Sequence, residues 1–304
     1  MGLELDKKGW YDCNMKVIRH IVNNSGRDFI IGDLHGFMDS LDALMSHVNF
    51  DYSADRLFSV GDLVDRGPHS EKALDLIGHQ WFYPVMGNHD MMLLKYIESH
   101  LSDNPRSLDQ RTRTYSRAFS LNGGEGWVRP HLSDHDLLNS WVTKLKSMPL
   151  VRCVDSTHPF NVAHAELIAV ENTDAGKWTQ HTLSESASLW DKEHHIVGFD
   201  DYGSWEDHVM WGREIRFGIT HNANIEYPDL HRTYVGHTVT KAKNGVIVSA
   251  FNHVFMDTGA MHIGNNPDFG LCMFDHSNNV GFMHNGSEII DLHIPDTSQV
   301  TMCP

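Results

Sequence analysis

Between Asp28 and Ile97 the chain repeats one pattern three times: a short apolar run, a loop carrying Asp, His or Asn, and a stretch with apolar residues at helical spacing. Asp28 to Ile31 (DFII) precedes Phe37, Leu41, Leu44, Met45 and Val48. Leu57 to Val60 precedes the loop Gly61 to His69 and then Ala73, Leu74 and Ile77, with Ser70 placed to cap that helix. Trp81 to Met86 precedes Gly87 to His89, read as a loop, and the apolar helix Met91 to Ile97. Consecutive strand–loop–helix units predict a right-handed α/β layer whose functional loops lie at the carboxyl ends of its strands.

The remaining segments are read from the same signals. Residues 98–148 are polar and helical, with Trp127 and Trp141 as anchors and a glycine break at Gly123, Gly124 and Gly126, which predicts a cap. Leu150 to Val154 and Phe160 to Ala163 read as paired strands. Residues 166–212 lack periodicity and suggest a lid. After Arg232 the runs TYVGHT, GVIVSAF, VFMDTGA and FGLCMFD predict a second, mostly antiparallel sheet. The fold class expected is therefore α/β: a two-sheet β-sandwich flanked by helices, with a helical cap insertion.

Charge and composition remove several classes of function. A net charge of −16 repels phosphate backbones and disfavours general nucleic-acid binding. No apolar stretch approaches the roughly 18 residues of a membrane span. Met1 to Trp10 mixes acids and lysines and lacks the pattern of a signal peptide, so the chain reads as cytoplasmic. Cys13, Cys153, Cys272 and Cys303 are far apart, which argues against a disulfide framework and a thiolate zinc site. Arg111, Arg113, Arg117 and Tyr115 form a basic patch in the cap, read either as an attractor of acidic phosphopeptides or, preferably, as a solvated helix face.

The chemistry gathers in five strand-end loops: GDLHG with Asp33 and His35, GDLVDRG with Asp62, Asp65 and Arg66, GNHD with Asn88 and His89, AHAE with His164, and GHT with His237. All but Arg66 offer hard-oxygen or imidazole donors. Two divalent cations about 3.5–4 Å apart need a bridging carboxylate, terminal N/O ligands and open positions for water and substrate. Asp62 is the natural bridge. Asp90, beside His89, reads as a first-turn acid complementing a helix dipole.

The ordered series resembles the metallophosphoesterase superfamily, in its phosphoprotein phosphatase branch and there the bacteriophage-lambda type. Similarity extends to LNGGEGW, WGRE and MDTGA and spans about residues 28–275, leaving the first 25 residues and the C-terminal tail outside it. The resemblance implies a single calcineurin-like domain, with Asp33, His35 and Asp62 on one metal and Asp62, Asn88, His164 and His237 on the other. Manganese is the metal expected, with iron or zinc as alternatives. It implies that Arg66 and Arg213 hold phosphate oxygens and that His89, oriented by Asp65, is the general acid. Water or hydroxide held between the metals would attack phosphorus in line. The partners implied are phosphoproteins or phosphopeptides, and a phage-encoded chain would act in the host cytoplasm.

Two other functions fit parts of the pattern. A bis(5'-nucleosyl)-tetraphosphatase resembles this chain in GDLHG, in GDLVDRGP with Pro68, and in GNHD, but the position matching Asp65 is usually not acidic there. A catalytically idle scaffold would have lost ligands or the His89–Asp65 pair, and this chain keeps both.

Overall fold

Strand β2 (Asp28–Ile31) is buried along its whole length, with Phe29 and Ile31 in a core shared with the helices and Ile30 in a second core between two sheets. Burial on both faces is what an unbroken apolar run requires, and it fixes β2 in the interior of its sheet. The computed structural model describes residues 17–167, 205–213, 215 and 230–294. β2, β3 (Arg56–Ser59) and β4 (Phe82–Pro84) pair in parallel, as the repeated units predict.

On the other side of β2 lie β10 (Leu271–Asp275), β11 (Val280–His284) and β12 (Ile289–Leu292), all antiparallel, giving the order β12-β11-β10-β2-β3-β4. The FGLCMFD run thus joins the first sheet, not the second as expected. Leu271 and Met273 enter the helix-side core while Cys272 and Phe274 enter the core between the sheets, so β10 also needs an interior position.

The second sheet runs β1 (Val17–Ile21), β5 (Val151–Asp155), β6 (Phe160–Ala163), β7 (Arg232–Val235), β9 (His253–Phe255), β8 (Ser249–Ala250). It is mixed, which corrects the mostly antiparallel expectation: β1/β5, β6/β7 and β7/β9 are parallel, while β5/β6 and β8/β9 are antiparallel. The reason is the path of the chain. β6 and β7 are joined by a long segment, so nothing forces the reversal that a tight hairpin would impose. Phe58, Val60 and Val85 of the first sheet meet Phe160, Val162 and Tyr234 of the second, and each such residue contributes about 1.5–3 kcal/mol by leaving water.

Helices α1 (Met38–His47), α2 (Ser70–Asp75) and α3 (Asn88–Leu101) cover the outer face of the first sheet. α4 (Gln110–Leu121) and α6 (His135–Lys146) pack on α3, with the short α5 (Glu125–Val128) between them. Asp109 and Asp134 cap α4 and α6 through the amides of Thr112 and Leu137. Trp127 and Trp141 lie ring to ring at 5.6 Å. Two local readings change. α3 begins at Asn88, so GNHD is a first helical turn, not a loop. Ser70 lies inside α2 and accepts the Asp65 amide at 2.9 Å instead of capping the helix.

Of the segment 166–212, expected as a lid, residues 166–167 and 205–212 are described, the latter holding α7 (Trp205–Trp211); residues 168–204 lie outside the described residues. Arg111 of α4 pairs with Glu206 and Asp207 of α7, at 2.5 and 3.1 Å. The buried Tyr115 hydroxyl donates to Asp207 and accepts from Trp211 Nε1. Half of the basic patch is therefore a joint between α4 and α7, because the acids of α7 supply partners that helical spacing within α4 does not reveal. Arg113 and Arg117 are exposed. Cys153 and Cys272 are buried thiols, while Cys13 and Cys303 lie outside the described residues. No helix among the described residues is long and apolar enough to cross a membrane.

Candidate metal centre and active site

Both sheets deliver residues to one point. Asp33 and His35 follow β2, Asp62, Asp65 and Arg66 follow β3, and Asn88 and His89 open α3 after β4. His164 follows β6 and His237 follows β7. Ten described residues other than glycine have positive φ, and five of them are His35, Asp62, Asp65, Arg66 and His237. Such backbone costs about 1–3 kcal/mol per residue and persists only where the surroundings over-determine it. Strain is thus concentrated where the loops converge.

The close packing leaves no room for side chains on the intervening glycines. A Cβ on Gly236 would strike Asp33 Oδ1, and one on Gly87 would strike Asp62. Gly236→Ala is therefore expected to displace Asp33 and lower metal affinity about 10–100-fold. Metal content of the purified variant after dialysis checks this, and a wild-type value would show that Asp33 can move without loss.

Asp90 does more than complement a helix dipole. Its Oδ2 accepts the Gly87 amide at 3.0 Å, closing a capping box on α3, and its Oδ1 accepts the Leu63 amide at 2.9 Å. One buried carboxylate thereby ties the GDLVDRG loop to GNHD.

The donor atoms themselves ask for cations. His35 Nδ1–H donates to the Val64 carbonyl and His164 Nδ1–H to the Val60 carbonyl, both at 2.7 Å. Burial lowers both imidazole pKa values, His35 to about 4, so each ring is neutral and its Nε2 carries a lone pair. Those lone pairs face acceptors: His35 Nε2 lies 3.8 Å from Asp62 Oδ2. His164 Nε2 lies 3.3 Å from Asp62 Oδ1 and 2.8 Å from Asn88 Oδ1. His237 Nδ1 approaches the same Asn88 oxygen at 3.0 Å, and the His237 amide donates to Asp33. For His35 and His164, whose Nε2 atoms carry no proton, acceptor thus faces acceptor, and such pairs repel unless a cation stands among them.

Carboxylate crowding makes the same demand. Burial, with Asp257 and Asp62 nearby, pushes the Asp33 pKa well above its ordinary value. Burial and the Asp62 charge push Asp90 and Asp257 to about 7. Burial works against ionised Asp62 as well, but the imidazoles of His164, His89 and His35 hold its pKa below the usual carboxylate range. The donor set therefore fits divalent cations bound by oxygen and imidazole.

Two sets offer ligand atoms within 4.8 Å of one another: His35, Asp62 and His89, and Asp33, Asp62 and His164. Asp62 belongs to both, as a bridge must. His89 Nδ1 lies 2.6 Å from Asp65 Oδ2. Burial alone would lower the His89 pKa, but Asp62 and Asp65 outweigh it and raise the value above that of free histidine. Arg66 and Arg213 are both exposed. Arg66 is near enough to act on the charge of His89, and Arg213 on that of His164, His237 and Asp257.

Four residues outside the sequence-based set bear on the site. Asp257 of MDTGA crowds Asp33. The Trp211 ring stands edge-on to His237, with centroids 5.7 Å apart. Trp127 Nε1 donates to Asp65 Oδ1 at 2.7 Å, and Asn122 Oδ1 accepts from Arg66 Nη2 at 3.1 Å. The signal for all four was their place inside MDTGA, WGRE and LNGGEGW, which marked the segments without saying what each residue touches.

Comparison with known proteins agrees with this geometry. The sequence model described as calcineurin-like phosphoesterase matches residues 29–240. Serine/threonine-protein phosphatase 1 of Salmonella typhimurium is 31% identical over 212 residues, covering 68% of this chain and 88% of the relative. The symmetrical bis(5'-nucleosyl)-tetraphosphatase of Hamiltonella defensa is 41% identical over 81 residues, covering 26% of this chain and 30% of the relative. Among solved structures, a protein serine/threonine phosphatase from Saccharomyces cerevisiae superposes with a TM-score of 0.50 at 14% identity, covering 92% of this chain and 84% of the other, a likeness of fold.

Proposed function

The chain belongs to the calcineurin-like phosphoesterase family, and from that premise we propose that it is a metal-dependent phosphoprotein phosphatase. Its substrates are phosphoserine and phosphothreonine monoesters, with some activity on phosphotyrosine or small aryl phosphates. The observation that carries this reading is the His89–Asp65 pair, 2.6 Å apart at the edge of the candidate metal centre. A serine or threonine alkoxide is a poor leaving group and needs a proton as the P–O bond breaks. A phosphate-anhydride leaving group, as in a dinucleoside tetraphosphate, needs that help far less. The match over 88% of a serine/threonine phosphatase supports the same choice.

In this reading Asp33, His35 and Asp62 hold one cation, and Asp62, Asn88, His164 and His237 hold the other, manganese being the metal expected. When bound there, divalent cations would supply a nucleophile from water near neutral pH and would offset charge on the phosphoryl oxygens. The Val64 and Val60 carbonyls fix the tautomers of His35 and His164, so that Nε2 is the ligating atom. Arg66 and Arg213 present guanidinium forks to phosphate, whose oxygens accept such donors bidentately. His89 donates its Nε2 proton to the leaving oxygen while Asp65 holds Nδ1. Helices α4 to α6 form a cap inserted into one catalytic domain.

The test is hydrolysis of a phosphoserine peptide and of diadenosine tetraphosphate, side by side, after chelation and again after adding Mn²⁺. Phosphate release from the peptide alone, abolished by chelation and restored by Mn²⁺, is the expected outcome. Cleavage of the dinucleotide alone would overturn the protein phosphatase reading and assign the site to nucleotides.

A further inference from the structure

Asp65 and Arg66 are adjacent, neither is glycine, and their φ values are +71° and +69°. Their backbone is held locally: the Asp65 amide donates to Ser70 Oγ at 2.9 Å and the Gly67 amide to the His35 carbonyl at 2.9 Å. Their side chains are held from elsewhere. Asp65 spends one carboxylate oxygen on His89, and the other accepts the Trp127 indole N–H at 2.7 Å. Arg66 donates through Nη2 to Asn122 Oδ1 at 3.1 Å. Trp127 and Asn122 both belong to LNGGEGW, which runs from the end of α4 into α5.

That segment is itself rigid. Asn122 Nδ2 donates to the Ala118 carbonyl at 2.9 Å, which turns Oδ1 towards Arg66. Gly123 takes φ +84°, and a Cβ on Gly124 would strike the Phe119 ring. Trp127 is packed against Trp141, so its N–H direction is set by the cap. With Oδ1 anchored, the plane of the Asp65 carboxylate is fixed, and with it the direction of the His89 ring.

We propose that Trp127 and Asn122 are positioning residues by which the cap sets two separable steps: Trp127 acts through Asp65 and His89 on protonation of the leaving group, and Asn122 acts through Arg66 on phosphate binding. The inference rests on the roles proposed above for His89 and Arg66. Indole N–H donates only, and the Asn122 oxygen accepts only, so each contact has a single sense. The two contacts come from one segment but reach different ends of the reacting group, and their effects on kinetics therefore divide.

The experiment compares Trp127→Phe and Asn122→Ala on aryl phosphates of graded leaving-group pKa, from 2,4-dinitrophenyl phosphate to phenyl phosphate, and on a phosphoserine peptide. Trp127→Phe is expected to lower kcat about 10–100-fold on phenyl phosphate and the peptide while leaving 2,4-dinitrophenyl phosphate nearly untouched, because a misdirected acid harms only substrates that need one. Asn122→Ala is expected to raise KM about tenfold across the series with kcat held, the loss of one hydrogen bond to a charged group.

A uniform fall across leaving groups, or none, overturns the role of Trp127. A kcat loss or an unchanged KM overturns that of Asn122. Should Trp127→Phe fail to fold, benzothienylalanine at 127 keeps the bicyclic shape and removes only the donor. His89→Asn serves as the reference. If it too lacks leaving-group selectivity, the general-acid reading fails; if it has that selectivity and Trp127→Phe does not, the positioning inference fails alone.

Discussion

Replacing His89 with asparagine is expected to lower kcat on a phosphoserine peptide by about 10²–10⁴-fold, the range that positioned acid catalysis supplies, with metal content unchanged. The structural case is that His89 touches the centre in two unequal ways. Its backbone amide donates to Asp62 Oδ1 at 2.9 Å, and that bond survives any side-chain change. Its ring is committed to Asp65 through Nδ1, leaving Nε2 for substrate. Asparagine fills much of the same space and can still donate to Asp65, so the loop keeps its shape while the transferable proton is gone. Elemental analysis of the variant and steady-state kinetics read the two quantities separately. A variant that loses metal along with turnover would place His89 among the ligands, a role that its proximity to His35 and Asp62 makes worth excluding.

Asp62→Asn is expected to act in the opposite order, emptying the site first and losing activity as a result. Asp62 Oδ1 faces His164 and Oδ2 faces His35, so the carboxylate addresses both halves of the centre. A carboxamide has one oxygen and an NH₂ group. Whichever way it turns, one half loses its oxygen ligand and both lose a negative charge. The NH₂ also donates readily to the lone pair of His164 or His35, which stabilises the metal-free fold and widens the gap. The expected result is less than one metal per chain after dialysis and a fall in kcat of about 10³-fold, as removal of several kcal/mol of metal-derived stabilisation implies. Two metals per chain in this variant would remove Asp62 from the bridging role.

The loops bearing the candidate ligands were readable because each sits where a buried strand ends, and a largely apolar run followed by Gly-Asp or Gly-Asn has few other uses. DFII, LFSV and FYPV mark the ends of β2, β3 and β4 closely enough to put Asp33, Asp62 and Asn88 side by side. What periodicity does not carry is partnership. β10 is apolar on both faces, so its pattern says that it is interior but not in which sheet. α3 starts three residues earlier than the apolar spacing suggests, because its cap is a glycine amide held by Asp90, a signal that depends on one acid at the third helical position. The cap contacts of Trp127 and Asn122, and the joint from Arg111 to α7, bridge segments distant in sequence, and nothing in local spacing announces them.

The pairing of β10 with β2 also sets the order in which the molecule is completed during synthesis. β2 is made early, yet its antiparallel neighbour is among the last strands to emerge, and until then one edge of β2 and the loop bearing Asp33 and His35 lack their final support. His237 and β7, also late, complete the second half of the centre. Long-range pairings of this kind form slowly and leave strand edges open while they wait. Of the candidate ligands, Asp33, His35, Asp62 and Asn88 emerge together on the first three paired strands, and only His237, after β7, waits until much later, so the last ligand to arrive comes from the other sheet.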